Sequence, residues 1–142
     1  MKVIVGSDHA GYDLKEEVKS FIKTQLGHDV EDAGVFSRES ADYPLVAHKV
    51  AEAIAQGEFS YGILVCGTGI GMSIVANRHK GVRAALCHNI LTARLSRQHN
   101  DANILAMGGR IIGVTLAQEM VREFLTTPFE GGRHQRRLDQ ID

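Results

Sequence analysis

Cysteine is scarce in this chain: its 142 residues include two, Cys66 and Cys87. Two thiols make no disulfide framework, and a chain of this length buries roughly 68–70% of its unfolded surface without one. The reducing cytosol is therefore the simplest compartment, and a cytoplasmic protein is expected. No apolar run reaches the length of a membrane span. No apolar h-region follows Met1 either, so no signal peptide is expected. Linkers, low-complexity segments and repeats of solenoid period are missing too. That leaves one domain, residues 1–142, with a basic C-terminal tail. The formal net charge is −1, so bulk electrostatics point to neither nucleic acid nor a membrane as partner.

One absence is local. No Asp or Glu occurs from Phe59 to Asn100, a stretch that holds Arg78, Lys80, Arg83, Arg94 and Arg97. A second basic cluster, GRHQRR, runs from Gly132 to Arg137. Such runs are either solvated surface or a local positive field for a small anion.

What the chain does contain is an alternation of short apolar runs with amphipathic segments. The runs are Val3–Val5, Asp29–Val35, Gly62–Cys66, Val82–Cys87 and Asn103–Gly108. Most are apolar on both faces, as buried parallel strands are. Between them, Leu14, Val18, Phe21, Ile22 and Leu26 follow helical spacing, as do Val46, Val50, Ala53 and Ile54. Pro44 suits an early helical turn. Thr115 and Gln118 fit a capping box before a last long helix, which Pro128 ends. Residues 131–142 suggest a short helix. The pattern predicts a Rossmann-like or flavodoxin-like three-layer α/β sandwich around a five-stranded parallel sheet. In such sheets ligands bind beyond the carboxyl ends of the strands. The segments found there are GSDHAG (6–11), CGTGIG (66–71), CHN (87–89) and GGR (108–110).

The CGTGIG stretch invites three readings: packing, binding or chemistry. No Lys follows its glycines, so it is not a Walker loop. Its GxGxG spacing, without an acid about 20 positions on, is not a dinucleotide fingerprint. It is either a tight strand-to-helix turn or an anion cradle at a helix N-terminus. Cys66 is either a small buried hydrophobe or a thiol biased toward thiolate by that helix and the acid-free surroundings. A thiolate there can act as base or nucleophile. Cys87, with no glycine loop after it, reads as structural. Asp8 and His9 are open to a capping reading, and Tyr43 to packing at the start of its helix. Arg133 and Arg137, four apart, share one helix face as either a phosphate clamp or a surface ladder. His28, His48, His79 and His88 show no metal-ligand spacing.

The segments SDHAG, DYP, CGTGIG, SRQHNDANILAMGGR and PFEGGRHQRRLDQI resemble the type B ribose-5-phosphate isomerases. That family also includes allose-6-phosphate isomerase and the galactose-6-phosphate isomerase subunits. The resemblance covers essentially the whole chain. It implies a Rossmann-like fold working as a homodimer or homotetramer, and aldose–ketose isomerisation of a sugar phosphate without metal or cofactor. It further implies Cys66 as the base between C2 and C1, with Thr68 beside it, and the loop Gly67, Thr68, Gly69, Ile70 and Gly71 around the enediolate oxygens. His99 would be the acid that opens the furanose ring. Asp8, Tyr43 and Asn100 would contact the sugar, and His9, Arg110, Arg133 and Arg137 the phosphate. Some members carry a glutamate base two to five residues after the loop; here residues 73–76 are Ser, Ile, Val and Ala. Ribose 5-phosphate is the expected substrate, with a six-carbon sugar phosphate as the alternative. A non-catalytic phosphate- or nucleotide-binding module is the alternative from another class. The helix LTARLSRQHN should end at the opposite edge of the sheet from Cys66, a strand length of about 17–20 Å away. His99 is therefore expected to serve a second chain across a two-fold interface.

Overall fold

The computed structural model describes residues 1–142. Five parallel strands, β1 (Lys2–Ser7), β2 (Asp29–Asp32), β3 (Tyr61–Cys66), β4 (Ala84–Leu86) and β5 (Ile104–Gly108), form one sheet in the order β2-β1-β3-β5-β4. The helices are α1 (Tyr12–Thr24), α2 (Tyr43–Ala55), α3 (Ile70–Ala76), α4 (Ile90–Asn100), α5 (Val114–Thr126) and α6 (Arg133–Leu138). Strand alternation divides the core between the two faces. Val3, Val5, Ile63, Val65, Leu105 and Met107 pack with α1, α4 and α5 on one side. Ile4, Leu64, Cys66 and Ile104 pack with α2 and α3 on the other.

The three-layer sandwich is as the apolar pattern predicts, with one difference from a flavodoxin-like sheet, whose order is 2-1-3-4-5: β4 and β5 exchange places. Burial gives the reason. Every residue of β5 is buried, whereas Ala84, Ala85 and Leu86 are each half-exposed. A three-residue, partly wetted strand suits an edge, and a fully apolar one suits the middle. The exchange matters for function because it registers Gly108 beside Cys66.

Two local expectations change. The capping box does not form: α5 begins at Val114 after Gly113, with no side-chain cap, so Thr115 already lies inside the first turn. The second run is a regular strand only over Asp29–Asp32. It continues as an irregular ladder, with Ala33 N donating to Val5 O at 2.8 Å and Val35 N to Ser7 O at 2.8 Å.

The segment after β2 is fastened by a charge cluster that the periodicity did not disclose. Lys15, fully buried on α1, donates from Nζ to both Asp32 carboxylate oxygens at 2.9 and 3.0 Å and to the Val35 carbonyl. Lys19 Nζ reaches Asp32 Oδ2 at 2.8 Å, and Gly34 N donates to Asp32 Oδ1 at 2.9 Å. Burial alone pushes the Asp32 carboxyl up, but Lys19, Lys15 and the Gly34 N–H outweigh it and hold it below its ordinary value. A depressed carboxyl stabilises the fold above its unfolded value, and that stability is lost as pH falls through the folded one. Replacing Asp32 by Asn takes the main carboxylate partner from a buried ammonium and leaves Glu16 Oε1, at 3.4 Å, as the only other. We expect a loss of about 3–5 kcal/mol at pH 7 in denaturant melts. The gap to wild type should narrow as pH drops below about 4 and close only once pH has passed through the depressed value that folded Asp32 holds. An equal gap at both ends of the pH range would contradict this.

Candidate active site

Three strand ends converge because β1 and β5 flank β3. Ser7 registers with Val65, and Cys66 with Gly108. The segments that follow are pressed together. Asp8 N donates to Val65 O at 3.2 Å, Gly109 N to Cys66 O at 2.8 Å and Arg110 N to Gly67 O at 3.0 Å. A Cβ on Gly11 would stand 2.3 Å from Val65 O, so only glycine lets these loops meet. Gly69 has φ +80° and lies against Met107, where a Cβ would come within 2.8 Å of backbone. Both positions make the glycine requirement one of close backbone approach.

Cys66 ends β3 with 5% of its surface exposed. Its Sγ accepts the Gly69 N–H at 3.1 Å, so the sulfur touches the turn while the residue also packs in the α2–α3 core. The Ile70 N–H is taken by Thr68 Oγ1 at 3.2 Å. The N–H groups of Gly67, Thr68 and Gly71 donate to no other group of the chain. The turn therefore offers three open donors beside a thiol, a narrower set than the whole of residues 67–71. Thr68 is exposed, and its hydroxyl is engaged in holding the turn.

The surrounding side chains are fixed by distant segments. Asp8 is buried, and its Oδ1 accepts Gly11 N at 3.0 Å just ahead of α1. His9 caps no helix: its Nδ1 lies 3.1 Å from Ala41 N and 3.3 Å from Ala41 O, which ties the ring to the segment before α2. Tyr43 begins α2, and its ring lies on Gly71, where a Cβ would be 2.6 Å from the ring edge. Arg110 is exposed; its guanidinium lies over Gly67, 3.4 Å from where a Cβ would be, and pairs with no carboxylate. Cys87, by contrast, is packed in the opposite core; burial pushes its thiol up, against the hydroxyls of Thr92 and Ser96.

His99, Asn100, Arg133 and Arg137 are elsewhere. The Arg97 guanidinium stands 4.8 Å from the ring of Tyr61, the first residue of β3, and donates to Asp101 Oδ1 at 2.8 Å. This pins the end of α4 to the amino end of the strand whose last residue is Cys66. Five residues at about 3.3 Å each put the two ends about 17 Å apart. His99 stacks on His134 of α6, ring centroids 4.4 Å apart, so α6 sits at that far end as well. Burial, then the charges of His99, Arg133 and Arg137, holds His134 below the usual imidazole range. Arg133 and Arg137 follow one another by a helical turn on α6 and make no ion pair. Cavities of about 590 Å³ beside Tyr12 and about 430 Å³ beside β4 do not include Cys66.

A parallel sheet with a thiol, open backbone donors and an unpaired arginine gathered at its strand ends defines an α/β protein equipped for a small anionic molecule and for proton transfer. The chain belongs to the ribose/galactose isomerase family, whose model matches residues 3–141. It is 47% identical over 140 residues to ribose-5-phosphate isomerase B of Escherichia coli, covering 99% of this chain and 93% of that one. It superposes on ribose-5-phosphate isomerase B of Clostridium thermocellum with a TM-score of 0.97 at 51% identity, covering 99% and 95% of the two chains. The ribose 5-phosphate isomerase of Thermotoga maritima gives a TM-score of 0.96 at 54% identity, with 99% and 97% covered. No helix is long and apolar enough to cross a membrane.

Proposed function

We propose that this chain is an aldose–ketose isomerase that interconverts D-ribose 5-phosphate and D-ribulose 5-phosphate through a cis-enediolate. The observation that carries this is the Cys66 sulfur, turned toward a loop with open N–H donors and an unpaired Arg110 alongside. The names of the relatives supply the substrate. Cys66, as thiolate, takes the proton from C2; the C–H electron pair becomes the enediolate double bond, and the hydroxyl proton shifts from O2 to O1. The sulfur then returns its proton to C1. Gly67, Thr68 and Gly71 donate to the developing oxyanion, each donor typically worth about 3–4 kcal/mol by deletion. The isomerisation is redox-neutral overall and needs no external electron acceptor.

The rest of the site comes from a second copy in this reading. His99 of that copy opens the ring with Asn100 beside it, and its Arg133 and Arg137 join Arg110 and His9 around the phosphate. Asp8 and Tyr43 hold sugar hydroxyls. Exposed Ile70, Ile74 and Leu91 and the half-exposed edge strand β4 favour such self-association, as a homodimer or homotetramer. Free, buried cysteines fit a cytoplasmic enzyme, and the substrate places the step in the pentose phosphate pathway.

Turnover of a panel of aldose phosphates tests the assignment. The highest kcat/KM should fall on ribose 5-phosphate; a higher value for allose 6-phosphate or galactose 6-phosphate would overturn the five-carbon choice. Tyr43→Phe keeps the ring on Gly71 and removes only the hydroxyl. It should raise KM about 5–10-fold, the worth of one hydrogen bond, with melting unchanged. An unaltered KM would remove Tyr43 from the sugar site.

A further inference from the structure

We propose that His99, Glu130 and His134 form a binding site for one divalent cation of the zinc class, at the far end of the sheet from Cys66. Each residue offers one ligand atom, and the three atoms lie within 4.8 Å of one another. Two imidazoles and a carboxylate are a donor set that suits Zn²⁺ and leaves a fourth position open. No other group of three such residues gathers in the chain.

The scaffold brings the ligands together from two directions. His99 lies in the last turn of α4. Glu130 N donates to Gln98 O at 3.1 Å, which lays the segment before α6 against that turn. His134, four residues on, stacks on His99 with the rings 13° from parallel. The independent sign of a missing ligand is His134 Nε2. Its side chain is 8% exposed, and the nitrogen has no hydrogen-bond partner. Glu130 Oε1 lies 3.5 Å away, within ion-pair range but making no hydrogen bond to it. Buried polar atoms are nearly always satisfied. A cation between this nitrogen and the carboxylate would satisfy both.

Metal bonds of about 2.0–2.2 Å bring ligand atoms to about 3.3 Å apart, so the cluster must contract. Glu130, with its side chain 49% exposed, is free to swing in, and the two rings must tilt out of their stack. The other close imidazole pair, His48 Nδ1 and His79 Nε2 at 2.7 Å, is exposed and has no third ligand, so it serves as the internal control. An occupied site would withdraw His99 from the neighbouring chain's sugar. That consequence rests on the function proposed above; the binding does not.

The test is equilibrium dialysis of the full-length protein against Zn²⁺, with metal content measured per chain. A His48→Gln/His79→Gln background should retain one equivalent, and adding Glu130→Gln or His134→Gln should weaken it about tenfold or more. Glu130→Gln alters no residue of the proposed machinery, so its metal-free turnover should stay within about twofold of wild type. Zinc retained equally by Glu130→Gln and His134→Gln, or no binding below about 100 μM, would overturn the site. Zn²⁺ should also depress wild-type turnover about tenfold while sparing Glu130→Gln. Equal inhibition of both proteins, with dialysis as expected, would overturn the link to His99 and leave the metal site standing.

Discussion

Alanine at position 66 is expected to lower kcat for ribose 5-phosphate by about 10²–10⁴-fold, the usual worth of a positioned general base. KM should change little, because the site proposed above assigns the phosphate to other side chains. The loss should be chemical and not structural. The substitution removes one sulfur atom, and the strand ladders that fix the position, Cys66 to Gly108 and Val65 to Ser7, are backbone. Stability should fall by about 1 kcal/mol. Cys87→Ala is the matched control: it removes a thiol of similar burial from the opposite core, and kcat should stay at the wild-type value. Activity of Cys66→Ala within tenfold of wild type would mean that another group takes the proton.

An equimolar mixture of Cys66→Ala and His99→Asn chains, reassembled from separated subunits, is expected to recover about a quarter of wild-type activity. Random pairing makes half of the dimers mixed, and each mixed dimer carries one intact site out of two. The expectation follows from Arg97, which ties the end of α4 to Tyr61 at the amino end of β3 while Cys66 ends the same strand. A side chain from α4 cannot cross about 17 Å of sheet, so in the proposed site His99 would reach Cys66 only from a second chain. Each variant alone should be nearly inactive. No recovery in mixed dimers verified by mass would refute the shared site; substantial activity of an isolated wild-type monomer would do the same.

The sheet was legible because buried strands leave continuous apolar runs and because glycine-rich turns mark their carboxyl ends. Both signals are local, and both led to Cys66. Partners distant in sequence were not legible. The exchange of β4 and β5 depends on how deeply each is covered, which is a property of the assembled layers. The burial of Lys15 follows from Asp32, 17 positions on, and the Val35 carbonyl, so helical spacing alone does not reveal it. His9 read as a possible cap because its neighbour in sequence is a helix, whereas its actual partner is Ala41, 32 positions away. Thr115 and Gln118 had the spacing of a capping box, yet the helix starts two residues early, at Val114 after Gly113. The gathering of His99 with Glu130 and His134 needed α6 to fold back on α4, and no spacing in the chain encodes that.

The Cys66 sulfur is the atom on which the proposed chemistry depends, and isotope exchange reports on it without requiring full turnover. Ribose 5-phosphate incubated in deuterium oxide with wild-type protein should acquire deuterium at C2, read by proton NMR. With Cys66→Ala, exchange should fall to the rate seen without protein. Exchange that continues in Cys66→Ala at the wild-type rate would contradict the assignment of Cys66 as the base.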